Sequence, residues 1–540
     1  MLIGGTVMSI GKKIASLRTG RGISQEEMAE CLGVSRQTVS KWEADQTRPQ
    51  IDNVTEMCRL FGISADSLLN DQLDISNDSP RQAGKYFGTD GFRGEANVQL
   101  TTLHAYKIGR FLGWYYGKTK QNTPPRIVIG KDTRRSCYTL EYALAAGITA
   151  SGADAYMMHV TTTPSVSYVT RQEQFDCGIM ITASHNPFYD NGIKVINRYG
   201  EKLGDDVAAL IEAYIDSDLN ALGVEGEDLP QAHRENIGRI IDHVAGRNRY
   251  VGYLISLASH SYKHLRIGLD CANGASWMIA GAVFQALGAQ TVIMGASPDG
   301  LNVNKDCGST HPEQLSELVR KEHLDAAFAF DGDADRCIAI DERGNVLDGD
   351  AIMYILARRL QERGTLTDNT VVATLMSNSG FVDSLKQLNI NVRQTQVGDR
   401  FVYEEMLSGD YMLGGEESGH IILKKYATTG DGLLTAIMLC EAMCDSKATL
   451  GELVRPLTLY PQYTENVAVR DKNIVADDPA VKQALSQVEK EIDNKGRILL
   501  RRSGTEPVMR VMVECESLEK CKEYAHRIIQ VICERRHTDV

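Results

Sequence analysis

The chain has 540 residues, of which 43% are hydrophobic, 24% are charged and 6% are aromatic, and its formal net charge is −13. These proportions are typical of a soluble globular protein, and no run of 18 apolar residues could span a bilayer. The length predicts several domains of about 150 residues each. The negative charge disfavours general attraction to nucleic acid, although a small domain could still bind it locally.

The order of residues near the N-terminus and the spacing of the cysteines indicate a cytoplasmic protein. A short apolar stretch precedes Lys12 and Lys13, which is the reverse of the order in a secretory signal. The 12 cysteines include no CxxC pair and no metal-finger spacing. We therefore expect reduced, mostly buried thiols instead of disulfides.

Residues 10–70 have the apolar spacing of a small bundle of short helices. Ser24 to Glu27 is typical of a capping box at the start of a helix, Gly33 to Ser35 predicts a tight turn, and Arg36 to Glu43 predicts a second helix start. The predicted apolar positions are Ile14, Leu17, Met28, Leu32, Val39, Trp42, Val54, Met57, Leu60 and Leu68. This arrangement predicts a helix-turn-helix domain.

The same segment resembles the DNA-binding domains of the phage-repressor family. The resemblance implies contacts to the major groove and to phosphates by Arg36, Gln37, Thr38, Ser40 and Lys41. It also makes a homodimer plausible, because such domains often pair to bind two half-sites. A helical interaction module is the alternative, since residues 1–75 contain eight lysines and arginines against ten aspartates and glutamates.

A polar stretch at residues 71–84 predicts a linker, and the main body of the chain follows it. Short β-like runs at 126–129, 265–269 and 326–330 alternate with helical stretches such as 275–287. This alternation predicts βαβ units with parallel sheets, whereas the tail around 498–532 has a strand–loop–strand–helix order. Open α/β sheets bind ligands beyond the carboxyl ends of their strands, which is where the motifs described next fall.

Ser184 lies in the motif Thr182-Ala-Ser-His-Asn-Pro187, directly after the β-like run Cys177 to Ile181. By itself this motif is more typical of an ordinary turn. Three further motifs change that interpretation, namely Asp331 to Arg336, Gly415 to His420 and Arg501 to Pro507. Together they favour phosphosugar chemistry, with Ser184 accepting and donating a phosphoryl group.

Asp331, Asp333 and Asp335 alternate with small residues, so one turn can direct three carboxylates at a hard cation such as Mg²⁺. A calcium EF-hand is disfavoured because Arg336 stands where that loop needs glycine, and because the preceding run predicts a strand. A solvated acidic turn is the remaining alternative. The guanidinium of Arg336 favours a nearby phosphate.

The other motifs supply groups that bind phosphate and sugar. Lys194 could carry a proton or clamp charge if neighbouring cations lower its pKa, or it could be a plain surface lysine. Arg501, Ser503, Gly504 and Thr505 have the donors of a cradle for a non-reacting phosphate. Glu416 and Ser418 suit sugar hydroxyl groups, and His420 could exchange protons near neutral pH.

Residues 85–540 resemble the α-D-phosphohexomutase superfamily, and most closely its phosphoglucosamine mutase branch, on the four motifs and on segments 85–94, 307–312 and 428–432. The resemblance implies an α/β fold with three domains that contain parallel sheets and a C-terminal α+β domain, preceded by the small all-α helix-turn-helix domain. The expected boundaries are 10–70 for the helix-turn-helix domain, 71–84 for the linker, and 85–240, 241–348, 349–457 and 458–540 for domains I to IV.

The resemblance also implies a role for each site residue. Ser184 would be the phosphoserine and, with Asp331, Asp333 and Asp335, a ligand of one Mg²⁺, and a sugar bisphosphate or phosphorylation of Ser184 would activate the enzyme. Arg93, Lys194, His420 and Arg336 would assist transfer, Glu416, Ser418 and His420 would bind the sugar, and Arg501, Ser503, Gly504 and Thr505 would hold its distal phosphate.

The implied activity is that of a cytoplasmic isomerase which interconverts glucosamine 6-phosphate and glucosamine 1-phosphate for UDP-N-acetylglucosamine and cell-wall precursor synthesis. A phosphoglucomutase or phosphomannomutase is an alternative, because Glu417 stands where the glucosamine enzymes commonly have Gln. Phe92 also replaces a more common aliphatic residue, without a clear consequence. A transcriptional regulator that senses sugar phosphates is a further alternative, suggested by the helix that begins at Arg36.

Overall fold

The computed structural model describes residues 9–20, 24–32, 34–49, 53–54, 57, 84–88, 90–118, 120, 123–492, 496–502 and 508–535. Two compact units emerge, one formed by 1–89 with 203–228 and the other by 90–202 with 229–540. Leu60, Leu68 and the predicted linker up to residue 83 lie outside the described residues, as do Ser503, Gly504 and Thr505. No helix in the described part of the chain has the length and apolar character needed to cross a bilayer.

The described helices follow the chain in this order: α1 (Ile10–Gly20), α2 (Gln25–Cys31), α3 (Arg36–Glu43), α4 (Thr102–Gly117), α5 (Arg135–Ala150), α6 (Thr163–Gln172), α7 (Asp205–Ile215), α8 (Val244–Leu257), α9 (Ala280–Ala286), α10 (Glu313–Glu322), α11 (Gly349–Glu362), α12 (Ser379–Gln387), α13 (Asp399–Ser408), α14 (Gly432–Ser446), α15 (Leu450–Val454), α16 (Lys472–Asp477), α17 (Pro479–Ile492) and α18 (Leu518–Glu534). Short 3₁₀ helices occupy Arg234–Asn236, Ala275–Met278 and Thr367–Asn369.

The described strands are β1 (Phe87–Gly88), β2 (Gly91–Glu95), β3 (Arg126–Lys131), β4 (Asp154–Val160), β5 (Cys177–Ile181), β6 (Asp190–Asn197), β7 (Ile240–Asp242), β8 (Arg266–Asp270), β9 (Gln290–Met294), β10 (Ala326–Phe330), β11 (Cys337–Ile340), β12 (Val346–Leu347), β13 (Thr370–Thr374), β14 (Asn391–Thr395), β15 (Leu413–Gly415), β16 (Ile421–Leu423), β17 (Gln462–Ala468), β18 (Arg497–Arg502) and β19 (Val508–Glu514).

In the first unit, helices α1 to α3 pack around a small apolar core. Ile14, Met28, Val39 and Trp42 are buried in it, as the sequence pattern predicts. Ser35 caps α3 by accepting the Thr38 N–H, which fixes the start of this helix at Arg36. The predicted second helix therefore forms over the expected residues.

Three mixed sheets occur in succession in the second unit. Their strand orders are β2-β6-β5-β3-β4-β7, β12-β11-β10-β8-β9 and β14-β13-β15-β16. The βαβ-connected strands are parallel, as predicted, for example β3 with β4 and β8 with β9. The β5–β6, β10–β11 and β15–β16 pairs are antiparallel, because their short connections cannot cross back over the sheet.

The C-terminal sheet is antiparallel and has its own core. Its order is β17-β19-β18, with α17 and α18 packed against it, so the expected strand–loop–strand–helix order and α+β character are confirmed. The second and third sheets share one larger apolar core instead, which includes Phe328, Phe330, Tyr354 and Leu434. The C-terminal domain is thus the more independent part of this unit.

Candidate active site

Ser184 is held in a strained turn at the carboxyl end of β5. Its backbone φ is 53° and its side chain is almost fully buried. The Ser184 N–H donates to Thr182 Oγ1 at 2.9 Å, and the hydroxyl donates to Asp331 Oδ2 at 2.5 Å. The turn therefore holds the hydroxyl of Ser184 directly against the acidic cluster, as the sequence predicts.

A buried arginine that the sequence analysis did not identify supports this turn. Arg134 has no exposed surface and donates to the carbonyl oxygens of Ser184 at 2.9 Å, Asn186 at 2.8 Å and Asp190 at 3.0 Å. Asn304 Nδ2 also donates to the Ser184 carbonyl, at 2.8 Å. The position of Arg134, just after β3, was an available signal because parallel β3 and β5 end at the same edge of the sheet.

The three aspartates project from the tip of a hairpin between β10 and β11. Phe330 pairs with Cys337, so the six residues between them close the turn, and Ala334 takes a left-handed conformation with φ 57°. The EF-hand alternative is excluded because the preceding segment is a buried strand. One oxygen from each carboxylate lies within 4.8 Å of the others.

The chemistry of this cluster fits a hard divalent cation. Asp331, Asp333 and Asp335 are all buried, and Asp333 Oδ1 and Asp335 Oδ1 have no hydrogen-bond partner among the described residues. Burial and the charges of Asp335 and Asp333 hold the pKa of Asp331 well above its usual range. Three buried oxygen donors that repel one another in this way could bind a metal.

Lys194 lies among carboxylates whose charges outweigh that of the neighbouring cation Arg93. Its Nζ is 2.8 Å from Asp333, 3.0 Å from Asp335 and 3.1 Å from Asp90. Burial opposes its charge, but the charges of these three groups raise its pKa well above the usual value. The surface-lysine alternative is excluded, and the structure favours a fixed ammonium over a readily released proton. Asp90 is a further site residue that the sequence analysis missed.

A second, half-buried lysine extends this network towards His420. Lys202 Nζ lies 2.6 Å from Asp90 and 2.7 Å from Asp399. Asp399 Oδ2 in turn lies 3.4 Å from His420 Nε2. The opposite ring nitrogen of His420 is 3.7 Å from Asp335. Burial lowers the pKa of His420, but Asp335, Asp399 and Glu416 together raise it to about 9.

Two guanidinium groups border the carboxylates. Arg93 pairs with Asp90, and the charges of Asp90, Asp333 and Asp335 outweigh its burial and raise its pKa. Arg336 donates its backbone N–H to Asp331, and its Nε has no hydrogen-bond partner among the described residues. Such donors can bind the oxygens of a phosphoryl group. His185 stands beside them with a pKa lowered to about 4 by burial and by Arg336 and Arg93.

The predicted sugar loop is the tip of the β15–β16 hairpin. Glu416 Oε1 accepts the Gly398 N–H at 3.1 Å, and burial raises the pKa of Glu416. The Ser418 hydroxyl is buried without a hydrogen-bond partner in the described structure. Glu416, Ser418 and His420 are thus on one short loop, whose last residue contacts the acidic cluster through Asp335.

The predicted phosphate loop connects β18 to β19. Arg501 is exposed near the end of β18, and the residues that follow it in the motif lie outside the described part of the chain. Arg497, at the start of β18, donates to the carbonyl oxygens of Met376 at 2.9 Å and Ser377 at 2.7 Å. It also pairs with Glu514 at 2.9 Å. This arginine joins the C-terminal sheet to the loop that follows β13.

The five residues proposed to bind DNA lie at the start and middle of α3. Arg36, Gln37, Ser40 and Lys41 are exposed and Thr38 is half-buried. Arg36 pairs with Glu26 at 3.2 Å, and both side chains are 62% exposed, so this ion pair is weak. The exposed face of α3 is therefore accessible to a partner.

Comparison with protein-family models supports the order of domains. Models described as phosphoglucomutase/phosphomannomutase match residues 84–221 (alpha/beta/alpha domain I), 248–344 (alpha/beta/alpha domain II), 348–460 (alpha/beta/alpha domain III) and 465–531 (C-terminal domain). A helix-turn-helix model matches residues 14–68. The chain therefore combines four mutase-type domains with a helix-turn-helix domain.

Curated relatives are similar over most of the chain. A phosphoglucosamine mutase of Lachnospira eligens is 58% identical over 83% of this chain and 98% of its own length. Another from Lachnoclostridium phytofermentans is 54% identical over 84% of this chain and 99% of its own. Both relatives are shorter than this chain, since they are covered almost completely by only part of it.

Solved structures show the same fold at low identity. A phosphoglucomutase/phosphomannomutase family protein from Burkholderia thailandensis has a TM-score of 0.68 at 21% identity, covering 84% of this chain and 98% of that one. N-acetylphosphoglucosamine mutase of Aspergillus fumigatus, solved with GlcNAc-6P and magnesium, has a TM-score of 0.59 at 18% identity, covering 84% and 96%.

Proposed function

The chain belongs to the phosphoglucosamine mutase family, a group of isomerases, and we propose that it interconverts glucosamine 6-phosphate and glucosamine 1-phosphate through phosphorylation of Ser184. The observation that carries this proposal is the buried contact between the Ser184 hydroxyl and Asp331, within a ring of fixed cations and carboxylates. A serine in such surroundings is suited to exchange a phosphoryl group shielded from water.

The proposed reaction has two transfers of opposite direction. A hydroxyl oxygen of the sugar attacks the phosphorus of phosphorylated Ser184, the bond from phosphorus to Oγ breaks, and a sugar bisphosphate forms. The bisphosphate reorients in the site, and Ser184 Oγ then attacks the phosphorus of its other phosphoryl group. The bond from that phosphorus to the sugar oxygen breaks, so Ser184 is phosphorylated again and the isomeric sugar phosphate leaves with a free hydroxyl. We assign Glu416 and His420 to the sugar side. The raised pKa of His420 makes it a charged donor to a sugar oxygen and not the neutral proton exchanger that the sequence suggests, so we assign acceptance of the hydroxyl proton to the Glu416 carboxylate.

We assign the cationic residues to the charge of the transferred group. Lys194 is fixed by Asp90, Asp333 and Asp335, and Arg93 and Arg336 lie beside the same carboxylates, so their positions need no rearrangement during transfer. Ser184, Asp331, Asp333 and Asp335 would hold one Mg²⁺. A bound Mg²⁺ supplies positive charge next to the phosphoryl oxygens.

Substrate preference is the part of the proposal in which a close alternative exists. Glu416 and Ser418 would bind the sugar hydroxyls, and Arg501 with Ser503, Gly504 and Thr505 would hold the distal phosphate. The neighbouring Glu417 carboxylate suits an amino group, but its presence in place of Gln also keeps a phosphoglucomutase or phosphomannomutase as the alternative.

Turnover of glucosamine 6-phosphate and glucose 6-phosphate, with Mg²⁺ and catalytic sugar bisphosphate, tests the proposal. We expect a higher kcat/KM for the amino sugar, and loss of all turnover in Ser184→Ala. Ser316→Ala is the matched control, because Ser316 is a buried serine on α10 whose hydroxyl has no described partner. Equal turnover by Ser184→Ala and the control would contradict the phosphoserine role, and preference for glucose would favour the alternative.

The exposed face of α3 supports a second function, namely binding of DNA by the helix-turn-helix domain. We propose that Arg36 and Gln37 contact bases and that Thr38, Ser40 and Lys41 contact phosphates, with two copies of the chain binding two half-sites. Recovery of genomic fragments by the full chain tests it. We expect Lys41→Ala to weaken recovery several-fold, whereas Lys12→Ala, on exposed Lys12 of α1, has little effect; equal recovery by both variants would refute this role of α3.

A further inference from the structure

A cavity of about 500 Å³ lies away from the acidic cluster, between α11, α14 and the base of the β15–β16 hairpin. Leu356, Leu423 and Met438 form an apolar floor. These side chains belong to the core and are almost fully buried. Tyr426 adds an aromatic wall. The volume and the mostly apolar lining are those of small-molecule sites in proteins.

All the charged residues that line the cavity are cationic, and two threonines, Thr365 and Thr367, complete its polar part. Arg359, Arg363, Lys424 and Lys425 line it, and no carboxylate is found among the described residues of the lining. Asp445 pairs with both arginines from outside the cavity, at 2.7 Å and 2.6 Å, and Asp410 pairs with Lys424 in the same way. Glu441 also lies 3.6 Å from Arg359, so outer carboxylates offset part of this charge, while the charged groups of the lining itself are all cationic.

Arg359 has a donor group that is poorly satisfied. Its side chain is only 10% exposed, and its Nη1 donates to the sulfur of Met438 at 3.5 Å. A thioether sulfur is a weak acceptor, so an anionic oxygen would be a much better partner for this guanidinium. A strong, buried donor next to an apolar floor favours a ligand that has both an apolar body and an anionic group.

The cavity is connected to the sugar loop through the hairpin. Leu413 pairs with Leu423, and the Lys424 N–H donates to the Met412 carbonyl at 3.1 Å, so Met412 and Lys424 close the base of the hairpin and line the cavity. Glu416 to His420 form the tip of the same hairpin, about 10 Å away at the usual rise of a strand. A ligand at the base therefore contacts the element that carries the sugar loop.

A second connection runs along the segment that follows β16. The carbonyl of Tyr426 accepts hydrogen bonds from Tyr253 at 2.8 Å and Arg171 at 3.2 Å. Further along, the Gly430 N–H donates to His420 Nε2 at 3.0 Å. Displacement of Tyr426 would therefore disturb its contacts with Tyr253 and Arg171 and, through the segment that leads to Gly430, the contact with His420.

We infer that this cavity is a second ligand site, for a phosphorylated small molecule with an aromatic or apolar body of about the size of a nucleoside monophosphate, and that its occupancy alters the sugar loop. The apolar floor and Tyr426 hold the body, and Arg359, Arg363 and Lys425 hold the phosphate. The binding part stands on the cavity alone, whereas the effect on turnover rests on the proposed function.

Binding is tested with the full chain and the fluorescent anion 8-anilinonaphthalene-1-sulfonate, which combines an aromatic body with a negative group. We expect saturable binding that Arg363→Glu and Leu360→Trp each weaken at least tenfold, and that Arg455→Glu, on an exposed arginine outside the cavity, leaves unchanged. Adenosine 5′-monophosphate should displace the probe, while adenosine or inorganic phosphate at the same concentration should not. Equal probe binding by all variants, or equal displacement by adenosine or phosphate alone, would overturn the site.

The effect on the sugar loop is tested by turnover of glucosamine 6-phosphate with and without saturating adenosine 5′-monophosphate. We expect KM to change at least twofold in the unmodified chain and to stay constant in Arg363→Glu, which leaves the active site intact and so corrects for competition there. An equal response of both chains would overturn the connection. The fluorescence result remains informative even if the chain does not turn over this substrate, because it requires no catalysis.

Discussion

The surroundings of Ser184 and the C-terminal domain are built in different ways. Around Ser184, buried charges pair with one another across several elements, and the second and third sheets share a single core. The C-terminal sheet has a separate core and is joined to the loop after β13 by the Arg497–Glu514 pair. The charged groups around Ser184 are thus fixed by one another within the fold, whereas the position of the proposed phosphate loop depends on how one domain is anchored.

This contrast predicts that variants of the first region mainly lower kcat and that variants of the anchor mainly raise KM. Fixed charges near the reacting atoms act on the transition state, while an anchor remote from them acts on substrate binding. For each variant, a residue with a similar side chain elsewhere in the chain provides the control substitution.

Among the variants that keep Ser184, the largest effect is expected for Lys194→Met. Removing this ammonium leaves Asp90, Asp333 and Asp335 without their shared cation, and we expect kcat to fall about a thousandfold. Steady-state kinetics with glucosamine 6-phosphate measures it. Lys131→Met is the control, because Lys131 and Glu141 form another buried ion pair in the same sheet region.

Both lysine variants should lose stability, by about 3–5 kcal/mol for a broken buried pair. Only Lys194→Met should show a fall in kcat that remains after correction for the fraction of folded protein. Similar kcat values for the two folded variants would remove Lys194 from the reaction and weaken the contrast between the two regions.

A smaller effect is expected for Arg134→Lys. Lysine cannot donate to the carbonyls of Ser184, Asn186 and Asp190 together, so the turn should shift, and misplacement by about 1 Å can reduce the rate roughly 100-fold. We expect kcat to fall and KM to stay within about twofold. Arg110→Lys is the control, since Arg110 is equally buried and also donates to backbone carbonyls, at Ala150 and Pro230.

If Arg110→Lys and Arg134→Lys reduced kcat equally, the loss would reflect general destabilisation and not the position of Ser184. A rise in KM without a fall in kcat would place Arg134 in substrate binding instead. Either result would contradict the expectation that variants around Ser184 mainly lower kcat and variants of the anchor mainly raise KM.

Arg497→Lys should produce the opposite pattern. It removes bonds to the carbonyls of Met376 and Ser377, so the strand that leads to the phosphate loop is less well anchored. We expect KM for the sugar phosphate to rise about tenfold, equivalent to roughly 1.4 kcal/mol, with a smaller change in kcat. Arg527→Lys is the control, because Arg527 pairs with Glu491 within the same C-terminal domain. An unchanged KM in Arg497→Lys would show that the anchor does not set substrate affinity.

The smallest effect is expected for Glu417→Gln, on the sugar loop. Burial and the charges of Asp348 and Glu514 raise the pKa of Glu417 from 4.5 to about 7. Between these values the folded chain binds more protons than the unfolded chain, so this group reduces stability as pH rises. Glu417→Gln has no carboxyl group at this position, so it does not lose this stability. The midpoint of the variant minus that of the unmodified chain should therefore be about 2 °C greater at pH 8 than at pH 4.5.

Asp383→Asn serves as the control for that comparison, because Asp383 is a carboxylate of α12, outside the sugar loop, that accepts a hydrogen bond from Tyr460. A midpoint difference for Glu417→Gln that does not change with pH would show that this carboxylate is not strained by its neighbours. In that case the sugar loop and the C-terminal domain would not be electrostatically linked.

Local patterns in the sequence determined the elements and which residues belong to most of the proposed site. The strand before Ser184 and the strand before Asp331 form over the residues expected, because short buried apolar runs bounded by turns have few other conformations. Helix α3 likewise begins at Arg36 because Ser35 caps it. Ser184, Lys194 and the three aspartates could be proposed as site residues from the sequence, because each type of side chain limits the chemistry that it can perform.

Tertiary structure alone decided which distant groups meet and in what state of charge. Asp90, Lys202 and Asp399 are far apart in sequence, and only the packing of the sheets brings them together behind His420. The same packing surrounds Lys194 with carboxylates and raises its pKa, the reverse of the lowering that a proton carrier would need. A local motif specifies which side chains are present, but burial and long-range contacts set their electrostatic energies, and those contacts are formed only when the whole fold assembles.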